Sequence, residues 1–255
     1  MRDLVAVDAL VLGRRAEVAE HDNIAPQLVS LLAPGSFAAD RYRALRYRIE
    51  ELRRSAGSQV FAVTSPGAGE GKTVTTLNLA GSLAQSPDLR VLVIDADLRR
   101  PRVAQYLGLT GRHDSTGLAD AISDPACDLD RVVRQLKPFN LSVVPAGSRD
   151  QGFYELLNSA RMETLLREAR QNYDVVLIDT PPILAVPDCR LIGRSADAFL
   201  LVVAAHRTPR KIVAEALGLL EPARVIGIVF NGDDRPASGQ YGYADYYGHP
   251  RERRF

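Results

Sequence analysis

The glycine-rich segment SPGAGEGKT, residues 65–73, constrains the fold of this 255-residue chain more than any other part of it. It follows a short apolar run and precedes a pattern typical of a helix. Gly67, Gly69 and Gly71 allow the backbone to turn its amide groups inward around an anion. The positive end of the following helix points at the same place. The segment therefore predicts a loop that binds the phosphates of a nucleotide.

Two side chains at the end of this loop complete the predicted phosphate site. Lys72 would place a positive charge against the β- and γ-phosphates, and the hydroxyl of Thr73 is suited to bind Mg²⁺. Pro66 stands where the usual pattern, G-x-x-x-x-G-K-[ST], has its first glycine. The other expected nucleotide-binding positions are Ala68, Glu70 and Val74. We expect ATP with Mg²⁺ as the ligand.

Short apolar runs rich in β-branched residues alternate with helical patterns along the chain. The runs are continuous, which indicates strands buried on both faces, as in a parallel sheet covered by helices. The expected strands are residues 60–64, 90–94, 141–144, 174–178, 198–203 and 225–230. The expected helices are residues 25–32, 37–54 (with Ser36 as N-cap), 72–85, 160–171, 188–194 and 209–220. This order predicts an α/β fold of the P-loop NTPase class: a doubly wound, mostly parallel sheet with helices on both faces.

Length and composition predict one globular domain with appended ends. We expect an N-terminal arm at residues 1–35, a nucleotide-binding domain at 36–232 and a flexible, tyrosine-rich tail at 233–255, since the tail has no Leu, Ile or Val to bury. A formal net charge of +1 gives no general attraction to nucleic acid. No run approaches the ~20 apolar residues of a membrane span. The two cysteines lie far apart, without the spacing of a zinc site. We expect a cytoplasmic protein.

Three aspartates end predicted strands near the phosphate loop. Asp95 and Asp97 close the run VLVIDAD, and their carboxylates point to the same side because they are two residues apart on an extended chain. Asp179 closes the run VVLID. Ligands of this architecture bind beyond the carboxyl ends of the strands, so we expect all three carboxylates beside the loop. Carboxylate oxygens suit Mg²⁺, and Asp179 together with one aspartate of the pair predicts a metal site.

Together these motifs resemble those of the bacterial tyrosine kinases of capsule and exopolysaccharide synthesis. The family's phosphate loop reads S-x-x-x-G-E-G-K-[ST], like residues 65–73; its second motif is similar to VLVIDADLRRP at 91–101, and its third to VVLIDTPP at 175–182. The family also has an upstream E-x-x-R-x-x-R motif on a helix. Asp40, Arg43 and Arg46 match that motif, with Asp in place of Glu. The resemblance covers residues 36–255.

The resemblance implies ATP-dependent autophosphorylation of a tyrosine cluster in the tail. The cluster consists of Tyr241, Tyr243, Tyr246 and Tyr247. Subunits of such kinases form a ring in which one subunit's tail enters a neighbour's active site, so helix 36–54 is expected to mediate oligomerisation through Asp40, Arg43 and Arg46. Asn231 lies where this class often contacts the adenine. A membrane partner with a cytoplasmic segment is expected to activate the kinase and recruit it to the inner face of the membrane.

The expected mechanism relies on positioning and charge neutralisation, as phosphoryl transfer generally does. Lys72 and the loop amides hold the triphosphate, while Thr73, Asp97 and Asp179 hold Mg²⁺. Asp95 is the preferred acceptor of the tyrosine proton, which ordinarily has a pKa of about 10, although either aspartate of the pair could serve as the base. Each phosphotyrosine adds about −1.5 to −2 charges, so a phosphorylated tail should leave a carboxylate-lined site and loosen the ring.

Two other functions are compatible with a phosphate loop. One is an ATPase switch of the ParA/MinD type, which positions cargo and phosphorylates no protein. Those ATPases have a signature Lys at the position of Gly67, and its absence here, together with the tyrosine cluster, favours the kinase. The other is a non-catalytic ATP-binding scaffold of polysaccharide export, which the presence of Lys72 and the three aspartates disfavours.

Overall fold

The computed structural model describes residues 16–18, 23–109, 116–148 and 152–232. Its strands are β1 (Ala16–Val18), β2 (Val60–Thr64), β3 (Val91–Asp95), β4 (Arg134–Leu136), β5 (Leu141–Val144), β6 (Val175–Asp179), β7 (Ala198–Ala204) and β8 (Val225–Asn231). Its helices are α1 (Val29–Leu32), α2 (Phe37–Ala56), α3 (Lys72–Leu83), α4 (Val103–Tyr106), α5 (Leu118–Ser123), α6 (Leu129–Val132), α7 (Phe153–Leu157), α8 (Ala160–Asn172), α9 (Asp188–Gly193) and α10 (Arg210–Gly218).

Within these residues the strands form one sheet in the order β1-β4-β5-β3-β6-β2-β7-β8. All neighbours are parallel except β4 and β5. The register pairs Asp179 with both Asp95 of β3 and Val63 of β2. The phosphate loop and two predicted acidic strand ends therefore share one edge of the sheet. The predicted fold class is confirmed, and each predicted strand is observed within one residue of its expected ends.

Helices cover both faces of the sheet, which explains the continuous apolar runs of the strands. Successive residues of β2 belong to different core clusters: Val60 and Ala62 face one, and Phe61 and Val63 face the other. The first cluster is completed by helices α5 to α10, the second mainly by α1, α2 and α3. Every residue of β2 is buried, so a polar side chain within this strand would have no access to water.

Helix α2 begins at the predicted residue and continues two residues beyond its predicted end at position 54. The Ser36 side chain accepts a hydrogen bond from the amide of Ala39 at 3.2 Å, as a helix N-cap does. The helix ends at Gly57, whose φ of 66° is the left-handed conformation that glycine adopts without strain. Ile49 is buried in the cluster shared with α3 and anchors the helix on the domain.

Several short elements were not predicted. The strands β1 and β4 have only three residues each, and β4 is held by an antiparallel pairing with β5. Part of the predicted N-terminal arm packs on the domain, because Leu28 and Leu31 are buried in the same cluster as Leu77 of α3. In the described part of the chain, no helix is both long and apolar enough to cross a membrane. The predicted flexible tail lies outside the described residues.

Candidate active site

The loop between β2 and α3 has the backbone shape of a phosphate-binding site. Gly69 and Gly71 have φ angles of 74° and 90°, which side-chain-bearing residues rarely adopt. A Cβ atom on Gly71 would also lie only 1.9 Å from Nδ2 of Asn231. That amide nitrogen donates to the carbonyl oxygen of Glu70 at 3.0 Å. The end of β8 therefore lies directly against the loop.

Glu70 holds the loop in shape from within. Its carboxylate is 5% exposed and accepts a hydrogen bond from the amide of Gly67 at 3.0 Å. The other oxygen accepts from the amide of Ala204 at 2.8 Å and from the hydroxyl of Thr208 at 2.9 Å. The carboxylate thus connects the phosphate loop to the segment between β7 and α10 and holds the loop in its shape.

A second tie comes from Arg207, which sequence reasoning missed. Its Nη2 donates to the carbonyl oxygen of Gly69 at 2.7 Å. Neither Arg207 nor Thr208 belongs to a recognisable motif, and their separation from the loop by more than a hundred residues gives no local signal. Only the pairing of β2 with β7 brings them there.

Lys72 is held beside the acidic strand ends. Its Nζ donates to Oδ2 of Asp97 at 2.8 Å, and both side chains are nearly buried. Burial acts to lower the pKa of Lys72, but the negative charges of Asp179 and Asp97 outweigh it and the pKa rises. The ammonium group therefore remains charged at neutral pH and is available to a phosphate.

Asp179 combines an engaged oxygen with an unengaged one. The Thr73 hydroxyl donates to Oδ2 of Asp179 at 2.6 Å. The residue is fully buried, and within the described residues Oδ1 has no hydrogen-bond partner. Burial raises the pKa of Asp179 to about 6, against the opposing effects of Lys72 and Thr73. A buried carboxylate oxygen without a donor, next to a hydroxyl, fits the hard oxygen ligands that Mg²⁺ requires.

Asp95 and Asp97 have different surroundings, although the sequence presents them as a pair. Asp95 is fully buried, and one oxygen accepts from the amides of Arg102 and Val103 at 3.1 and 3.0 Å. Its other oxygen accepts from the amide of Asp97 at 3.2 Å. Burial, followed by the charge of Asp179, raises the pKa of Asp95 well above its ordinary value. Asp95 thus orders the segment after β3, while Asp97 contacts Lys72.

Arg99, next to this site, bridges three elements. Its guanidinium donates to the buried carboxylate of Asp188 at the start of α9, at 2.7 Å, and lies 5.4 Å from the ring centroid of Phe153. These contacts connect the loop after β3 with α9 and α7. In this arrangement two guanidinium nitrogens of Arg99, Nε and Nη2, donate to Asp188.

The predicted interface motif on α2 makes contacts within its own subunit. Arg43 forms an ion pair with Asp40. Arg46 donates to Glu50 at 2.6 Å and to the carbonyl oxygen of Ser82, at the end of α3, at 2.9 Å. Arg46 therefore joins α2 to the helix that follows the phosphate loop.

Comparison with known proteins agrees with this geometry. Residues 58–209 match a family model described as "AAA domain". The chain is 33% identical over 218 residues to "Tyrosine-protein kinase YwqD" of Bacillus subtilis (strain 168), covering 85% of this chain and 90% of that protein. The chain belongs to the bacterial tyrosine kinase family. This kinase is also 33% identical to "Putative tyrosine-protein kinase EpsB" of Ralstonia solanacearum, but spans only 29% of that longer protein.

Solved structures place the kinase in the same family. The kinase domain of Escherichia coli tyrosine kinase ETK superposes with a TM-score of 0.77 at 30% identity, covering 88% of each chain. The BceF tyrosine kinase domain gives 0.70 at 36% identity, covering 80% of this chain and 81% of that one. The cell division ATPase MinD of Pyrococcus furiosus gives 0.59 at 21% identity, with 71% of this chain and 74% of that one covered, which shows a shared fold.

Proposed function

We propose that the kinase transfers the γ-phosphoryl group of ATP to tyrosines of its own C-terminal tail. The observation that carries this proposal is the arrangement of Lys72, Asp97, Thr73 and Asp179 at the carboxyl ends of adjacent strands. The ammonium group of Lys72, the hydroxyl of Thr73 and the two buried carboxylates thus lie together at the end of the phosphate loop. The names of the relatives supply the reaction class.

Lys72 is the side chain that we expect to bind the triphosphate. Its Nζ is paired with Asp97, and its raised pKa keeps it charged. A triphosphate in the loop offers it a stronger partner, because ionised oxygens accept charge-assisted hydrogen bonds. Lys72 would then bind the β- and γ-phosphates, which would leave Asp97 available to hold the metal or to contact the substrate.

Thr73, Asp97 and Asp179 would hold Mg²⁺. Mg²⁺ held there would neutralise the negative charge that develops on the phosphates during transfer. Oδ1 of Asp179, which has no hydrogen-bond partner in the part of the chain that the structure describes, supports this assignment. The carboxylate would be ionised whenever metal binds, even though burial alone raises its pKa to about 6.

Asp95 is our candidate for accepting the phenol proton, since its raised pKa strengthens it as a base; the tyrosine oxygen would have to displace a backbone amide that this carboxylate accepts from. The tyrosine oxygen forms a bond to the γ-phosphorus, the bond from that phosphorus to the bridging oxygen breaks, and ADP leaves. Asp97 is the alternative base. The variants Asp95→Asn and Asp97→Asn should separate the two: loss of the base removes the acidic limb of the pH–rate profile, whereas loss of a metal ligand shifts the Mg²⁺ requirement.

We further propose the assembly in which this reaction runs. A ring of identical subunits would present each tail to a neighbour's site, with Asp40, Arg43 and Arg46 of α2 at the contact. Phosphorylation would make the tail acidic and loosen the ring. A membrane partner with a cytoplasmic segment would recruit and activate the kinase at the inner face of the cell membrane, in the control of capsule or exopolysaccharide synthesis. The resemblance of the motifs supports these points.

Incubation with γ-labelled ATP and Mg²⁺ tests the kinase activity. Wild-type protein should retain label, and mass spectrometry should find phosphate on tail tyrosines rather than on the exposed Tyr47 or Tyr154. Lys72→Met should retain none, while Lys211→Met, a matched change at an exposed lysine of α10, should behave as wild type. Release of phosphate without labelled protein would instead indicate an ATPase switch, and ATP binding without turnover would indicate a scaffold.

A further inference from the structure

An open groove of about 750 Å³ lies away from the nucleotide site. It is bounded by α9, by the chain between α10 and β8, and by Phe199 near the start of β7. These elements meet at the amino ends of β7 and β8, whereas the phosphate loop lies at the carboxyl ends of the sheet. The groove is thus separate from the catalytic residues.

The groove carries an excess of positive charge. Arg190 and Arg194 lie four residues apart on and after α9, both exposed, and Arg224 faces them from the turn before β8. Glu221 is the acidic residue of the lining, and it is 74% exposed and 3.7 Å from Arg224. Among the described residues, no hydrogen bond or ion pair engages the Arg190 side chain. Two like charges four residues apart repel each other slightly unless an anion lies between them.

The remaining lining is aromatic and apolar. The Arg224 guanidinium donates to backbone carbonyls of Gly193 and Ala196 and lies 5.4 Å from the ring centroid of Phe199. A Cβ on Gly193 would be 2.2 Å from that ring, so the glycine permits the ring to lie there. Tyr154, 43% exposed, completes an aromatic rim. The groove therefore offers guanidinium groups for an anion beside surfaces for an aromatic ring.

We propose that this groove binds phosphotyrosine of the kinase's own tail, residues 233–255. Arginine clusters recognise phosphate through charge-assisted, often bidentate, hydrogen bonds, and the ring of phosphotyrosine suits the apolar floor. The tail changes from nearly neutral to strongly acidic on phosphorylation, which matches the sign of the groove. This inference rests on the proposed autophosphorylation.

The tail is long enough to reach the groove of its own subunit. Strand β8 has seven residues and spans about 23 Å from the Arg224 end to the start of the tail. Nine residues lead from position 233 to Tyr241, and an extended segment of that length spans about 30 Å. Tyr246 and Tyr247 reach further. Capture of the phosphorylated tail would keep the product out of active sites and favour its replacement by an unmodified tail.

Binding of a synthetic peptide tests the inference without relying on the kinase reaction. The peptide covers residues 238–249, with Tyr241, Tyr243, Tyr246 and Tyr247 either phosphorylated or not. The full-length chain with these tyrosines changed to Phe is titrated with each form, and fluorescence anisotropy of the peptide is measured. We expect binding of the phosphorylated form only, roughly tenfold or more weaker for Arg190→Gln/Arg194→Gln. Both changed arginines are exposed, so folding should be unaffected, and circular dichroism checks this.

The matched control changes two exposed arginines of α2, Arg41→Gln/Arg48→Gln. It should bind the phosphorylated peptide like the parent protein. Loss of binding in this control but not in the groove variant would assign the tail to α2 and overturn the inference, as would equal binding of both peptide forms. Because the peptide is phosphorylated chemically, it can bind even if the chain does not autophosphorylate, so failure of the groove and failure of the kinase proposal give different results.

Discussion

Asp179→Asn should stabilise the nucleotide-free kinase at neutral pH while destroying its metal site. The folded-state pKa of Asp179, about 6, lies above the ordinary value of 3.8. The protonated carboxyl therefore stabilises the fold at low pH, and this contribution is lost as the pH rises through about 6. Asn resembles the protonated form and carries no such dependence. The difference between the ordinary pKa of 3.8 and the folded-state pKa of about 6 sets how much the ionisation of Asp179 destabilises the fold. This cost is about 1 kcal/mol at pH 4.5 and about 3 kcal/mol at pH 8.

Thermal unfolding of wild type and variant between pH 4.5 and 8 measures this difference. At pH 8 the variant's melting temperature should be higher by up to roughly 10 °C, with a smaller gain at pH 4.5. ATP with Mg²⁺ at a hundredfold excess over Kd should increase the free energy of unfolding of wild type by about 2.7 kcal/mol and so raise its melting temperature, and it should stabilise the variant far less.

Asp174→Asn provides a control of opposite sign. Hydrogen bonds from Arg90 lower the pKa of Asp174, so its contribution is present above the ordinary carboxyl pKa and is lost as the pH falls. This variant should be less stable than wild type at pH 8. A variant at Asp179 that is destabilised at pH 8, or that gains equally at every pH, would refute the reasoning that burial of an unpaired oxygen raises the pKa.

Three further substitutions test the loop and its support. Gly71→Ala should destabilise the fold by about 1–3 kcal/mol and abolish ATP binding, because φ is 90° and the new Cβ would collide with Asn231. Gly35→Ala is the control, since a Cβ at Gly35 would have open space around it, and calorimetry measures the stability and ATP binding of both variants. Glu70→Gln should cost about 1–3 kcal/mol and weaken ATP binding in titrations, since a buried carboxylate loses its charge-assisted hydrogen bonds; an unchanged Kd would contradict this. Ile49→Ala should cost about 2–5 kcal/mol in urea unfolding, as the side chain is fully buried under α2, and a cost below about 1 kcal/mol would show that α2 packs loosely.

The main strands, the phosphate loop and helix α2 were predictable from the sequence because the residues that specify each of them lie close together in the chain. A buried parallel strand must be apolar at successive positions, so a run such as VLVID at Val91–Asp95 can be recognised as a strand. The phosphate loop is equally local, since its glycines, Lys72 and Thr73 act within nine residues. Helix α2 could be delimited because Ser36 and Gly57 have the residue types that caps require.

The short elements were not predictable because other parts of the chain hold them in place. Three-residue β4 exists through its pairing with β5 and β1, and no periodicity can appear over that length. Four-residue helices such as α4 are too short to be stable alone and depend on tertiary contacts.

The sequence by itself determined which chemical groups this kinase has: a phosphate loop, one lysine, one hydroxyl and three carboxylates at strand ends. The tertiary structure decided how those groups differ. Asp95 and Asp97 look equivalent in the sequence. In the structure, however, Asp95 accepts a hydrogen bond from the backbone amide of Val103, whereas Asp97 accepts one from the side chain of Lys72. The structure also decided the surroundings of Asp179, which is fully buried and whose Oδ1 has no hydrogen-bond partner among the described residues. Partners far apart in sequence set these environments, and only the order of strands in the sheet brings them together.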